Sequence, residues 1–333
     1  MDAARVPYDA TVFVVDGVAH TWADVLTAAR WWGEDVALDR EARAGLSCER
    51  EADAAGAGPD RATVRAAART FRYSHRLISA EELEAWLARW RLTAGEWLAW
   101  LRRRVVLETQ SPAGDQRAVD PEDVAAVRWP TAVCSGRLSA WARELARRSA
   151  AAAAVGRMPA AGLPDETRLA LLDAALADFR EQSATPQAVQ RLVATRWLDW
   201  SRIDCSWVEL ASTDAGDEAR LCVEHDGRDL QAVAALAGAV ASQRRLWLDD
   251  VPAALRQPLR SARDGELIGP VVIDDRTDVL PLRCLRTFVL VQLHTRTAPD
   301  PEDPEVLARG RAAVADRELQ VQVHSRVRWH EPV

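Results

Sequence analysis

The chain predicts an α+β fold whose N-terminal part is mostly helical. From Asp60 to Leu198, apolar residues recur at helical spacing behind good capping residues. After Trp200 the period shifts to alternation, and strands mix with short helices. Near the C-terminus, LQVQVHSRVRW alternates as a strand carrying Leu319, Val321 and Val323. A terminal strand needs a partner, and Val12–Val15 is the expected one, which would close both chain ends into one domain.

Taken in order, Thr11–Val15 reads as a strand that ends at the turn Asp16-Gly17, and Thr21 caps a helix carrying Trp22, Val25, Leu26 and Ala29. Residues 45–62, rich in Ala, Gly, Glu and Asp, read as a loop. A helix from Asp60 to Leu77 precedes a helical hairpin. Its first arm is capped by Ser79 with Glu82, its second by Thr93 with Glu96, both in the reciprocal pattern that satisfies free backbone N–H groups. Leu83, Trp86, Leu87 and Trp90 share one face of the first arm; Trp97, Trp100, Leu101 and Val105 continue it on the second. Four tryptophans here, Trp86, Trp90, Trp97 and Trp100, are a large apolar payload for one hairpin. They suit a helical core, and one side of the same hairpin could form a groove for an apolar peptide. Asp120-Pro121-Glu122 starts another helix; Leu138, Trp141 and Leu145 mark a long one; Asp165 to Gln182 and Pro186 to Leu198 follow.

Beyond Trp200, SRIDCSWVEL reads as a strand, Glu218–His225 and Leu230–Val240 as helices, and RRLWLDDVPAAL as a strand or loop entering a short helix. Two strand-like runs follow around an Asp-Asp-Arg turn, then a long polar helix from Asp300 to Asp316.

Composition narrows the function classes. With 48% apolar and 28% charged residues, the 333-residue chain can build real cores. A net charge of −7 argues against nucleic acid or an anionic membrane as partner. All 43 basic residues are Arg; the chain has no Lys and no Asn, as GC-rich coding favours, and Lys-based Schiff-base chemistry is excluded. Five scattered cysteines (Cys48, Cys134, Cys205, Cys222 and Cys284) without a CxxC pair fit neither a disulfide scaffold nor a zinc knuckle. No apolar run reaches the roughly 18 residues of a membrane span, and no basic-then-apolar leader opens the chain, so a cytoplasmic protein is expected. His20, His75, His225, His294, His324 and His330 show no paired metal spacing, and phosphate-loop and GxSxG patterns are missing. No metal and no cofactor is expected. Cys222 and His225, three apart on one helix face, read as a structural pair.

The hairpin ISAEELEAWLARWRLTAGEWLAWLRRRVVLE resembles the N-terminal helical domain of SurA-type chaperones. SARDGELIGPVV is similar to the signature of parvulin (PpiC-type) prolyl isomerases, with Gly265, Glu266, Gly269, Pro270 and Val271 in register. FRYSHRLISAEELEAWL and CSGRLSAWARELA look like a subgroup of SurA-like proteins associated with maturation of ribosomally made, modified peptides. The resemblance implies a SurA-type helical domain over residues 1–198 and a parvulin-like domain over 199–298. A C-terminal helix and strand, 299–333, would return to the first domain.

Active parvulins carry two cleft histidines, a Cys or Asp, and an apolar pair around the proline ring. By this resemblance the first histidine falls at Asp204, the second at Asp278, and the apolar pair at Val251 and Leu255. Neither histidine is present, which argues against efficient isomerisation. The implied function is a chaperone-like protein that binds a precursor or leader peptide, with a peptide-modifying enzyme as a further partner. Trp86, Trp90, Trp97, Trp100, Arg103, Trp247, Val251 and Leu255 are the candidate peptide contacts. Arg102, Arg103 and Arg104, at a helix C-terminal turn, suit the helix dipole and read as solvated; alternatively they could grip an acidic leader by bidentate contacts. The alternative is an enzyme that reuses the parvulin cleft, as a residual prolyl isomerase or another peptide-modifying catalyst. Asp204, Asp278 and Cys205 would then be its catalytic groups, the two carboxylates sharing a proton if they face each other.

Overall fold

The computed structural model describes residues 8–109, 119–210, 212–274 and 286–330. Strands β1 (Thr11–Val15) and β2 (Val18–Thr21) lead into helices α1 (Trp22–Trp31), α2 (Glu34–Ala54), α3 (Arg61–Ser74), α4 (Ala80–Arg89) and α5 (Ala94–Thr109). Four more helices follow: α6 (Pro121–Cys134), α7 (Arg137–Ala154), α8 (Asp165–Ser183) and α9 (Pro186–Thr195). Then come β3 (Arg202–Leu210), α10 (Thr213–Glu224), α11 (Leu230–Leu236), β4 (Ala241–Trp247), α12 (Ala253–Ser261), β5 (Leu267–Asp274) and β6 (Arg286–Thr297). Helix α13 (Pro304–Arg326) and strand β7 (Val327–Trp329) follow. The class is mixed α+β, as the sequence predicts. Among the described residues, one compact unit combines the chain up to Glu181 with that from Arg317 onward, and a second takes what lies between.

In the first unit the sheet runs β2-β1-β7, and the pairing of the two chain ends is present: Phe13 faces Trp329 and Val15 faces Val327, antiparallel. The strand expected over Leu319–Val323 is a correction. These residues are the last turns of α13, and only Val327–Trp329 extends into the sheet. The run alternates, but Leu319 and Val323 are also four apart, and both pack on Leu176 and Phe179 of α8. A helix already propagating through an Ala-rich segment continues more cheaply than a new strand starts.

The loop expected over residues 45–62 is a second correction, because α2 occupies its first half. The buried face of α2 is Leu38, Ala42, Gly45, Cys48 and Ala52, helically spaced but made of small residues that carry little hydropathy.

Aromatic packing dominates this core. Phe71 of α3 is fully buried and meets Trp86, Trp97 and Trp100 edge-on, with ring centroids 5.3, 5.7 and 5.8 Å away. Trp90 packs edge-on against Trp22 at 5.3 Å, and Trp129 of α6 donates its Nε1–H to the Trp90 carbonyl at 2.8 Å.

The second unit is built on an antiparallel sheet of order β4-β3-β6-β5. Ile203, Cys205 and Trp207 pack with Leu255 and Leu259 of α12 on one face. Val208, Leu210 and Leu290 pack with Ala219, Leu230 and Val233 of α10 and α11 on the other. Gly269 in the GPVV run has φ +109°, and a Cβ there would lie 2.4 Å from the Val289 carbonyl oxygen, so no other residue fits. Here α9 and the first half of α13 pack through Val189, Val193, Trp200, Val306 and Val314.

One buried group in the first unit works against the fold. His20 on β2 is 2% exposed, stacked on Phe13 at 4.6 Å, and among the described residues neither ring nitrogen has a hydrogen-bond partner. Asp24 and Arg168 are the charges facing it, and burial outweighs Asp24 to depress its pKa to about 4. Above pH 6.5 the ring is neutral whether folded or unfolded. Between 6.5 and about 4 the unfolded chain binds a proton that the folded chain refuses, so stability falls as pH falls, by about 3 kcal/mol in all. The variant His20→Phe should lose this part of the acid sensitivity and gain about 1–2 kcal/mol at pH 7, where it removes two unmade hydrogen bonds. Urea unfolding of both proteins at pH 7 and pH 4.5 measures the difference.

Candidate peptide-binding site

The hairpin helices α4 and α5 are capped as the sequence implies. Ser79 Oγ accepts from the Glu82 backbone N–H at 3.1 Å and Thr93 Oγ1 from that of Glu96 at 3.1 Å, with each glutamate returning the bond. Trp90, Trp97 and Trp100 are only 6, 5 and 4% exposed, so their indoles serve the core; Trp86 is half-buried against Phe71. Arg103, 8% exposed, lies 3.6 Å from Glu49 of α2, and burial draws its pKa below the usual arginine value despite that carboxylate. Arg102 pairs with Glu49 at 3.0 Å and with Asp53, and Arg104 with Glu108 at 3.0 Å. All three arginines, read as solvated or alternatively as a grip for an acidic leader, already have acidic partners within the chain.

An open groove of about 580 Å³ lies beside this core, between α5 and α6. Glu96, Ala99 and Arg103 of α5 form one wall, spaced as one helical face. This face is one residue, about 100°, round the helix from the core face of Trp97 and Trp100. Glu122, Ala125, Ala126, Trp129 and Pro130 of α6 form the other wall at the same helical spacing. The methyl groups of Ala99, Ala125 and Ala126, the indole of Trp129 and the ring of Pro130 make the lining largely apolar, with carboxylates at Glu96 and Glu122. Pro130 sits inside α6 and has no N–H, so the Ala126 carbonyl is left without its usual helical donor. Sequence reading weighted the tryptophans and missed this groove. The available signal was a proline inside an Ala-rich helical face.

In the second unit the described candidates Asp204, Cys205, Val251 and Leu255 do not share one face of the sheet. Val251 and Leu255 are fully buried in the cluster that holds Cys205. Asp204 precedes Cys205 on β3 and so points to the opposite face of the sheet. There Asp204 accepts from Thr295 Oγ1 at 3.2 Å and lies 3.6 Å from Arg245 Nε. Asp278 lies outside the described residues. Cys205 is fully buried and desolvation pushes its thiol up to about 11, so it is neither ionised nor accessible. Trp247 is half-buried beneath stacked guanidinium groups, Arg202 at 4.3 Å and Arg309 at 5.2 Å. With Arg202, Arg245 and Glu305 it borders a hollow of about 140 Å³, too small for a peptide segment.

The polar end of this sheet holds one unpredicted pair. Ser206 Oγ and His294 Nε2 share a hydrogen bond at 2.8 Å, and Gln243 Nε2 donates to Ser206 Oγ at 3.1 Å. Ser206 is buried, and among the described residues no carboxylate bonds His294 to orient it as a base. The described residues include no group of three potential metal ligands and no helix long and apolar enough to cross a membrane.

No protein-family model matches the chain, and no curated protein matches it. Among solved structures, a foldase protein PrsA from Lactococcus lactis is 8% identical with a TM-score of 0.31, covering 97% of this chain and 96% of that one. A foldase protein PrsA from Streptococcus pneumoniae is 10% identical with a TM-score of 0.28, covering 95% and 93%. One of two structurally related SurA-like chaperones of Campylobacter jejuni is 8% identical with a TM-score of 0.20, covering 97% and 100%. Similarity this low assigns no activity.

The thiols offer a direct check of this arrangement. Cys48, Cys134 and Cys205 are buried, and burial raises all three pKa values, whereas Cys222 is half-exposed. Iodoacetamide on the native protein at pH 8 should modify Cys222 well before these three, as peptide mapping would show. Fast alkylation of Cys205 would contradict its placement in the core.

Proposed function

We propose that this chain is a chaperone-like peptide-holding protein that acts in the maturation of a ribosomally made, modified peptide. The supporting observation is the α5–α6 groove: about 580 Å³, open, and lined mainly by apolar side chains on a rigid, aromatic-packed base. Such a base keeps the groove formed without ligand, so little ordering cost falls on the protein when a peptide docks. The resemblance of the hairpin and of CSGRLSAWARELA to SurA-like maturation proteins supplies the peptide class. A peptide-modifying enzyme fits as a second partner, since holding a substrate and reacting it are separable tasks.

The enzyme reading has less support. Cys205 is protonated and buried, and Asp204 is engaged by Thr295 and Arg245.

The test is fluorescence anisotropy with a labelled precursor peptide from a short reading frame beside the gene. Saturable binding should weaken at least tenfold in Ala126→Arg, whose side chain fills the groove from an exposed position and should alter stability by no more than about 0.5 kcal/mol. Unchanged binding in a folded Ala126→Arg protein would remove the groove from the reading. Mass spectrometry of the same mixture should show unaltered peptide in the absence of other proteins.

A further inference from the structure

We propose that the α5–α6 groove selects apolar peptide segments carrying basic residues, and not acidic ones; this rests on the peptide-holding role proposed above. The groove presents acceptors. Glu122 is exposed, and its carboxylate has no partner among the described residues; Glu96 adds a second negative charge on the facing helix. Ala126 also lines the groove, and Pro130 cannot donate to its carbonyl as a helical residue would.

Among the described residues, Arg103 is the one cation on the lining and does not offset them. Arg103 is buried and turned toward Glu49, and Arg102 and Arg104 hold Glu49, Asp53 and Glu108. Neighbouring Arg128 is paired with Asp39 at 2.9 Å and Arg50 with Asp123 at 2.5 Å. An acidic peptide would have to break an existing pair to find a donor, leaving a carboxylate unpaired at a site flanked by apolar surface. A guanidinium or ammonium group meets Glu122 with no pair among the described residues to displace, while the apolar residues beside it cover Ala99, Ala125 and Trp129. The apolar lining supplies affinity for any hydrophobic segment, and the carboxylates decide among them.

The experiment uses the full-length protein and short labelled peptides that share one apolar sequence and differ only in two positions: Arg, Gln or Glu. The Arg peptide should bind about tenfold tighter than the Gln peptide at low salt, with the Glu peptide weakest. Raising NaCl should narrow the spread. The double variant Glu96→Gln, Glu122→Gln should bring the Arg, Gln and Glu peptides to one affinity. Gln at position 96 retains the reciprocal cap with Thr93, so the helix start is preserved.

A Glu peptide that binds as tightly as the Arg peptide would overturn the selectivity. So would an Arg preference that survives in the double variant. If all three peptides bind alike and Ala126→Arg abolishes them all, selectivity falls while peptide holding stands. If none binds, or if Ala126→Arg leaves binding intact, both fall.

Discussion

Edge-on packing of aromatic rings around Phe71 is the constraint on which the first unit depends. Each such contact adds about 1 kcal/mol beyond the area it buries, and it works only within a narrow range of angle and distance. Three indoles from two helices meet one phenyl ring from a third. Through the bond from Trp129 to the Trp90 carbonyl, α6 is held to the same assembly. The groove is a by-product of that geometry. On the face of α5 beside that core, the small Ala99 stands across from Ala125 and Ala126 of α6, and the space between the helices stays open there.

The arginine-only chemistry of the chain shapes its surface charge. Guanidinium groups form planar forks and stack on rings, and the fold uses both properties. Arg137 bridges Glu34 and Glu41. Arg148 joins Glu144 and Asp173 while lying 4.2 Å from the centre of the Trp32 ring. Arg309 bridges Asp249 and Asp250 and stacks over Trp247. Cations committed in this way are not offered to a ligand. The excess of carboxylates that gives the chain its charge of −7 is therefore felt where the surface opens, at Glu122 among other places.

The sheet of the second unit separates chemistry that adjacent letters in the sequence seem to join. Asp204 and Cys205 are neighbours along the chain but occupy opposite faces, one in a polar cluster with Thr295 and Arg245, the other in a dry core with Val251 and Leu255. A cleft needs its groups on one face. The strand's two-residue period forbids that for these two.

By itself the sequence determined the local elements: the capped hairpin, the helical run, the alternation after Trp200, and the partner for the terminal strand. Each of these follows from a short-range rule, either a side chain reaching three residues along or a period of two or 3.6 residues. Where small residues made the pattern, as in α2, or where one run satisfied two periods, as at Leu319–Val323, local rules were ambiguous and packing decided. Only the tertiary structure settled which faces are spent. Of the hairpin tryptophans that look like a binding surface, Trp86, Trp97 and Trp100 are consumed by Phe71 and Trp90 by Trp22, and Arg103 is consumed by Glu49. The modest alanines of α5 and α6 line the open groove, because burial depends on what lies opposite a residue in space, which its own neighbourhood in the chain does not encode.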